Sequence, residues 1–240
     1  MIKRIVLLPG LDGTGELLAD IVAALPPGMS ATVGRYPTHD FRTYAQLLDV
    51  VRELVAGLEP FVVLGESFSS PLAVHLAASQ PENLAGLIIC AGFVSNPFPR
   101  AKFIIKALAR PFLFRLPRPD FIHKYFVSGS STSPEFRERI RNTLHLVAPE
   151  VLAGRVQEIL RCDTREDLIR TTVPIMYLQG AYDRLIRRRC FEEIRKIQPR
   201  VRLASVPAPH MVLQLKPREA ADAIMKFIHE IDVGQAAGAS

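Results

Sequence analysis

The feature that most constrains this chain is a short stretch in which an apolar run, a turn containing a glycine and a serine, and a helical pattern follow one another directly. Residues 61–64 read Phe-Val-Val-Leu, and this length and β-branched content are typical of a strand buried on both faces. Residues 65–69 read Gly-Glu-Ser-Phe-Ser, and residues 71–78 are rich in helix formers. This order of strand, Gly-x-Ser-x-small and helix predicts a tight turn that raises the Ser67 hydroxyl above the edge of a sheet.

Ser67 is therefore a candidate nucleophile, although a loop serine also commonly caps the helix that follows it. The fifth position of the pattern is Ser69, where glycine is usual, so an extra hydroxymethyl group must fit where strand and helix nearly touch. Glu66 alternates away from Ser67 along the predicted strand, and we assign it a structural role.

Apolar runs alternate with helical patterns in two parts of the chain. Strands alternating with helices of this size indicate a parallel sheet with right-handed crossovers, so the predicted fold class is α/β. The last predicted helix covers about Pro217 to Ile231, and residues 233–240 are predicted to be disordered. The predicted strands cover residues 3–8, 31–36, 61–64, 84–91, 174–179 and 201–206.

Residues 98–170 interrupt this alternation with helical stretches that prolines separate. We expect them to form a helical lid inserted into a core made of residues 1–97 and 171–240. Residues 100–170 carry 14 Lys and Arg against 8 Asp and Glu, whereas the rest of the chain carries 16 of each. The net charge of +6 is thus concentrated on the predicted lid, which argues against nucleic-acid binding over the whole surface.

The cysteines and the apolar runs exclude several other classes of protein. Cys90, Cys162 and Cys190 are widely spaced and odd in number, which favours a reduced, cytoplasmic setting over a disulfide framework. No run approaches the ~18 uninterrupted apolar residues of a membrane span. No group of His, Cys, Asp or Glu has the spacing of metal ligands, so neither a metal nor a cofactor is expected.

Three candidate catalytic residues follow predicted strands, in the chain order Ser67, Asp183 and His210. Open parallel sheets bind ligands at the carboxyl ends of their strands. A serine hydroxyl is a weak nucleophile until an imidazole accepts its proton, and an acid on the other ring nitrogen fixes the tautomer. Taken singly, Asp183 fits a turn residue and His210 a loop histidine, but their joint placement predicts a Ser-His-Asp triad.

On these residues the chain resembles the α/β-hydrolases over essentially its full length. The resemblance implies that Ser67 is the nucleophile, Asp183 the acid and His210 the general base. The first predicted strand resembles the family's third, and its two preceding strands, one of them antiparallel, have no counterpart. We therefore expect a minimal, all-parallel sheet of about six strands with an inserted helical lid.

A glycine-rich turn at residues 9–15 follows the first predicted strand. Its spacing matches neither the dinucleotide fingerprint nor the Walker phosphate loop, and the remaining function for such a turn is an oxyanion hole. The turn resembles the family's oxyanion turn, with Pro9 where histidine is common. The resemblance implies that the backbone N–H groups of Leu11 and Phe68 are the donors.

The predicted lid begins with a basic and strongly apolar helical stretch. Lys102, Lys106 and Arg110 recur every four residues, with large apolar residues between them. This stretch either roofs an apolar pocket or meets an anionic membrane surface or an acidic carrier protein. In arrangement the predicted lid resembles that of the pimeloyl-carrier-protein methyl ester esterases, whose basic lids receive an acidic carrier protein. A second basic set consists of Arg137, Arg139, Arg141, Arg155, Arg161 and Arg165.

Together these features predict a cofactor-independent serine hydrolase that cleaves carboxylic esters with an apolar acyl or alcohol group through an acyl-enzyme. A thioesterase, a lipase, a C–C bond hydrolase or an acyltransferase would use the same triad, and a binding protein could keep the fold without the chemistry. The predicted substrate contacts are Leu11, Phe68, Phe103, Phe112 and Met211.

Overall fold

The computed structural model describes residues 1–115 and 132–238, so part of the predicted lid, residues 116–131, lies outside the described residues. The described strands are β1 (Arg4–Leu8), β2 (Ser30–Val33), β3 (Phe61–Glu66), β4 (Leu84–Cys90), β5 (Ile175–Gly180) and β6 (Arg202–Val206). They form one sheet in the order β2-β1-β3-β4-β5-β6, and every neighbouring pair is parallel. The predicted α/β fold with an all-parallel sheet of about six strands is confirmed.

The helices follow the predicted pattern except at the C-terminal end. In chain order they are α1 (Ala19–Ala24), α2 (Tyr44–Val55), α3 (Ser70–Ala78), α4 (Lys102–Leu108), α5 (Pro111–Arg115), α6 (Pro134–His145), α7 (Pro149–Arg161), α8 (Arg165–Arg170), α9 (Arg188–Ile197), α10 (Val212–Leu215) and α11 (Pro217–Gly238). The prediction of disorder from residue 233 is wrong as far as residue 238, because no proline follows Ile231 and alanine and glutamine extend the helix. No helix among the described residues is both long and apolar enough to cross a bilayer.

Helices cover both faces of the sheet with apolar side chains. One face packs against α2, α3, α8 and α9, and the other packs against α1, α10 and α11. The central strands β3 and β4 are buried at every position. Strands enclosed in this way read as continuous apolar runs, which is why the sequence pattern located them.

The helical insertion leaves and rejoins the core at one place. Residues 94–96 run antiparallel to residues 162–164, and the Thr164 N–H donates to the Val94 carbonyl at 2.7 Å. Between these points the described residues form α4 to α7, which we call the insertion. Helix α8 lies beyond this junction and buries Leu168 in the core.

Candidate active site

Ser67 occupies a sharp turn between β3 and α3. Its φ angle is +47°, a left-handed conformation that costs a residue with a side chain about 1–3 kcal/mol. Gly65 makes the turn possible, because a Cβ there would lie 2.5 Å from the Ser69 carbonyl oxygen and 2.8 Å from the Ala73 Cβ. Backbone strain that the surrounding structure enforces on a serine is typical of a functional site.

The two serines that follow hold this turn in place. Ser69 is fully buried, and its hydroxyl donates to the Pro9 carbonyl and accepts from the Tyr36 hydroxyl at 2.7 Å. Ser70 donates through its hydroxyl to the Ser67 carbonyl at 2.5 Å. The hydroxymethyl group that Ser69 adds in place of glycine therefore fits, because its oxygen joins the turn to the glycine-rich loop after β1.

The three predicted catalytic side chains lie within hydrogen-bonding reach of one another. The Ser67 Oγ is 3.0 Å from the His210 Nε2, and the His210 Nδ1 is 2.8 Å from the Asp183 Oδ2. The other Asp183 oxygen, Oδ1, accepts the backbone N–H groups of Leu185 at 2.8 Å and Ile186 at 2.9 Å. With the Nδ1 proton donated to the carboxylate, the Nε2 lone pair is free to accept the serine proton.

The ends of β5 and β6 bring Asp183 and His210 together. A Cβ at Gly180, the last residue of β5, would lie 2.2 Å from the Pro209 carbonyl oxygen, so glycine lets the two loops touch. The Ala181 N–H donates to the Val206 carbonyl at 2.8 Å, which continues the ladder beyond the strands. Residues 27 positions apart in the chain thus become hydrogen-bonded neighbours.

The charges around His210 favour its protonated form. Burial alone lowers the pKa of the imidazole, but the charge and hydrogen bond of Asp183, together with the charge of Glu66, raise it above its ordinary value of 6.5. The Asp183 side chain is almost fully buried, so little solvent screens this attraction. An imidazole with a raised pKa is a stronger base for the serine proton.

In the glycine-rich turn at residues 10–13, the Leu11 N–H group takes no part in the hydrogen bond that closes the turn. The Gly13 N–H donates to the Gly10 carbonyl at 3.1 Å. Because the N–H and C=O groups of a trans peptide point in opposite directions, the Leu11 N–H faces away from that bond. The Phe68 N–H lies at the start of a helical turn, where N–H groups lack an intrahelical partner.

The predicted substrate contacts fall into different environments. Phe68 is fully buried, and its ring stacks on Tyr44 with centroids 4.9 Å apart, so only its backbone is available to a substrate. The helical turn directs this ring into the core, and the role of Phe68 in substrate binding stays a prediction. Leu11 is half-buried, and it packs against the core and against an apolar cluster of Val147, Val151 and Leu152.

The other three predicted contacts lie apart from one another. Met211, next to His210, is buried against Leu17 of the core and Ile140 of the insertion. Phe103 on α4 and Phe112 on α5 are 82% and 61% exposed. The structure therefore does not enclose these phenylalanines over the triad, and a role for them in substrate binding stays a prediction.

Glu66 is a site residue whose importance the sequence pattern did not reveal. Its carboxylate accepts a hydrogen bond from Gln214 at 2.8 Å, and Gln214 belongs to the helix that follows His210. Burial raises the pKa of Glu66 to about 7, and the negative charge of Asp12 adds to this effect. The hydrogen bond from Gln214 acts in the opposite direction. The signal that could have identified Glu66 is its position, since it is an acidic residue at the end of a fully buried strand and directly before the candidate nucleophile.

A family model described as the alpha/beta hydrolase family matches residues 5–223. The chain belongs to the alpha/beta hydrolase family. A hydrolase from Oleispira antarctica aligns with a TM-score of 0.81 at 15% identity, covering 95% of this chain and 92% of that one.

Two further solved structures show the same fold. MenH from S. aureus has a TM-score of 0.80 at 13% identity, with 96% of this chain and 94% of that one covered. A thermophilic esterase from Thermogutta terrifontis has a TM-score of 0.79 at 21% identity, with 95% and 90% covered. At these identities the likeness establishes the alpha/beta hydrolase fold alone.

The candidate site of this alpha/beta hydrolase brings together a hydroxyl, an imidazole and a carboxylate. No group of three or more His, Cys, Asp or Glu side chains in residues 1–115 and 132–238 is arranged to hold a metal ion. The side chains of Ser67, His210 and Asp183 lie in hydrogen-bonded sequence, and their roles as nucleophile, base and acid stay predictions. Family membership and this arrangement together support a hydrolase.

Proposed function

We propose that this alpha/beta hydrolase is a serine esterase that cleaves carboxylic esters with an apolar acyl or alcohol group. The observation that carries the proposal is the continuous chain of hydrogen bonds from Asp183 through His210 to Ser67. A serine whose proton can pass to an oriented imidazole is activated for attack on a carbonyl carbon.

In the proposed first half-reaction, the His210 Nε2 accepts the proton of the Ser67 hydroxyl as the Oγ attacks the ester carbonyl. The Leu11 and Phe68 N–H groups stabilise the oxyanion of the tetrahedral intermediate. When the intermediate collapses, His210 returns the proton to the leaving alcohol, and an acyl group remains on Ser67. Asp183 holds the imidazole in the required tautomer and stabilises its positive charge throughout.

The second half-reaction repeats these proton transfers with water. His210 accepts a proton from a water molecule, whose oxygen attacks the acyl carbonyl, and then gives the proton to Ser67 as the acid leaves. A thioester substrate, or an alcohol in place of water, would use the same groups, so thioesterase and acyltransferase activities are the alternatives within this chemistry.

Ester hydrolysis and covalent labelling test the proposal together. We expect the wild-type chain to hydrolyse p-nitrophenyl esters, with a preference for longer acyl chains, and to be labelled at Ser67 by a fluorophosphonate. The label should be lost in Ser67→Ala and retained in Ser79→Ala, a serine at the other end of α3. A folded protein that neither hydrolyses any ester nor accepts the label would contradict the proposal and favour a binding protein. Adding a competing alcohol separates hydrolysis from acyl transfer through the products.

The three cysteines support a reducing compartment as part of this proposal. Cys90, Cys162 and Cys190 are all buried and all free. Burial raises the pKa of each thiol above its ordinary value, which keeps the thiols protonated and unreactive. We therefore propose that the enzyme works in the cytoplasm.

The surface of α4 and α5 also favours one partner. Residues 98–115 contain five basic side chains and no acidic one. Lys106, Arg110, Phe103, Ile104 and Phe112 are exposed there, and no described residue forms an ion pair with Lys106 or Arg110. A surface that presents cations and large apolar groups together matches an anionic bilayer, which has charged headgroups above acyl chains. We propose that this surface, residues 102–115, docks on anionic membranes, where apolar esters are concentrated.

Vesicle binding tests the docking proposal. The enzyme should co-sediment with phosphatidylglycerol vesicles but not with phosphatidylcholine vesicles, and salt should weaken the binding. The double variant Lys106→Gln, Arg110→Gln removes about 2 kcal/mol of attraction, so the partition coefficient should fall roughly 30-fold. Ile169→Ser, which alters an exposed apolar residue on α8, serves as the control and should bind normally. Binding to an acidic carrier protein without vesicle binding, or binding to neither, would overturn the membrane proposal.

A further inference from the structure

Arg155 lies in the middle of the insertion helix α7, yet it is only 1% exposed. The sequence pattern grouped it with the other arginines of the predicted lid. The structure instead directs its guanidinium into the core, whereas Arg161 on the same helix stays exposed and pairs with Glu158 at 3.7 Å. A fully buried arginine requires partners for its charge and for its N–H donors.

The partners of Arg155 are backbone carbonyls at the proposed oxyanion hole. Its Nη1 donates to the Leu11 carbonyl at 2.9 Å and to the Asp12 carbonyl at 2.6 Å. Its Nη2 donates to the Pro37 carbonyl at 2.9 Å. One side chain of the insertion thus binds the two loops that follow β1 and β2.

The turn is shaped to receive this guanidinium. Gly13 has a φ angle of +67°, and a Cβ at this position would lie 2.6 Å from the Arg155 Nη1. The guanidinium also lies over the rings of Tyr36 and Phe68, each 5.8 Å from its centroid. Carbonyl dipoles, aromatic faces and the nearby charge of Asp12 therefore offset the cost of burying the cation.

These contacts involve both residues whose N–H groups are the proposed oxyanion donors. The Gly10–Leu11 peptide is held from one side by the Gly13 N–H. Arg155 holds the next two peptides through the Leu11 and Asp12 carbonyls, and its guanidinium lies against the Phe68 ring. Without Arg155, the glycine-rich turn would retain its internal hydrogen bond but lose the contacts that fix its orientation relative to the Ser67 turn.

We propose that Arg155 is a positioning residue through which the insertion sets the geometry of the oxyanion hole. The expected effect on kcat rests on the proposed esterase function, whereas the expected effect on the structure of the turn does not. Removing a whole oxyanion donor typically costs about 10²–10³ in rate. Because misplacement costs less than removal, Arg155→Met should lower kcat about 10- to 100-fold with KM changed less than about twofold.

The test compares Arg155→Met and Arg155→Lys with Arg161→Met, the matched control on the same helix. In Arg155→Met, the loss of kcat should be matched by weaker inhibition by a trifluoromethyl ketone, whose adduct with a serine carries an oxyanion. Arg155→Lys should recover part of both, since lysine supplies the charge but only one point of attachment. Arg161→Met should leave both unchanged.

Amide hydrogen exchange of residues 10–14 provides a readout that does not depend on esterase activity. Exchange should accelerate in Arg155→Met, less in Arg155→Lys, and not at all in Arg161→Met. Wild-type kinetics and exchange in folded Arg155→Met would overturn the proposal, as would equal effects of all three substitutions. If the wild type hydrolyses no ester but exchange is still faster in Arg155→Met, the esterase function is refuted and the structural role of Arg155 remains.

Discussion

Ser67→Ala is expected to lower kcat for ester hydrolysis by about 10⁴- to 10⁶-fold, the scale on which a triad nucleophile acts. The substitution removes the only atom proposed to bond to the acyl group, whereas the rest of the triad and the oxyanion turn remain. Alanine meets the same strain as serine at a φ angle of +47°, so the thermal unfolding temperature should change little. Steady-state kinetics and thermal unfolding of the same preparation measure both effects.

Ser79→Ala is the control for this experiment, since it removes a hydroxyl from the same helix at the end remote from the turn. The variant that combines Ser67→Ala with His210→Ala should be no slower than either single variant, because residues that act as a unit are not additive. A Ser67→Ala enzyme that retains a tenth or more of the wild-type rate would show that another group is the nucleophile.

Asp183→Asn is expected to lower kcat by about 10⁴-fold. An amide can present its NH₂ group to the His210 Nδ1, which stabilises the tautomer with the proton on Nε2 and removes the acceptor for the serine proton. The Asp183 Oδ1 also accepts the N–H groups of Leu185 and Ile186, and the amide oxygen can keep those bonds. The loss should therefore appear in kcat with little change in stability.

The same variant should shift the pH dependence of kcat/KM in a defined direction. The protonated imidazole cannot accept a proton, so activity is lost as the pH falls through the pKa of His210, which in the wild type lies above 6.5. Without the charge of Asp183, burial dominates and lowers that pKa. The acid limb of the Asp183→Asn profile should move to lower pH, and a limb that stays in place or rises would contradict the proposed role of Asp183.

The sheet and the three proposed catalytic residues could be predicted from sequence because local patterns report them. Buried parallel strands such as β3 and β4 are continuous apolar runs, and Ser67, Asp183 and His210 each lie within four residues of the end of a strand. Parallel strands carry their C-terminal ends to one edge, so the positions of the runs were sufficient to bring the three side chains together.

Other parts of the site depend on contacts that no local pattern records. Arg155 reaches the Asp12 carbonyl across 143 positions of sequence, and its helical spacing is indistinguishable from that of an exposed arginine. Alternation along β3 indicated that Glu66 points away from Ser67. It did not indicate that the Gln214 amide would donate a hydrogen bond to the Glu66 carboxylate. Apolar spacing in α4 left open whether Phe103 covers a pocket or meets a partner, because the exposure of its side chain depends on what packs against the helix.

Ser69 affects how this enzyme could be stabilised by substitutions taken from its family. A design guided by the family consensus would restore glycine there and so delete the oxygen between the Pro9 carbonyl and the Tyr36 hydroxyl. Each buried polar group left without a partner costs about 1–3 kcal/mol, so the consensus residue would destabilise this chain. Exchanging Ser69 alone would leave both the Tyr36 hydroxyl and the Pro9 carbonyl without this partner, so position 69 cannot be redesigned independently of its neighbours.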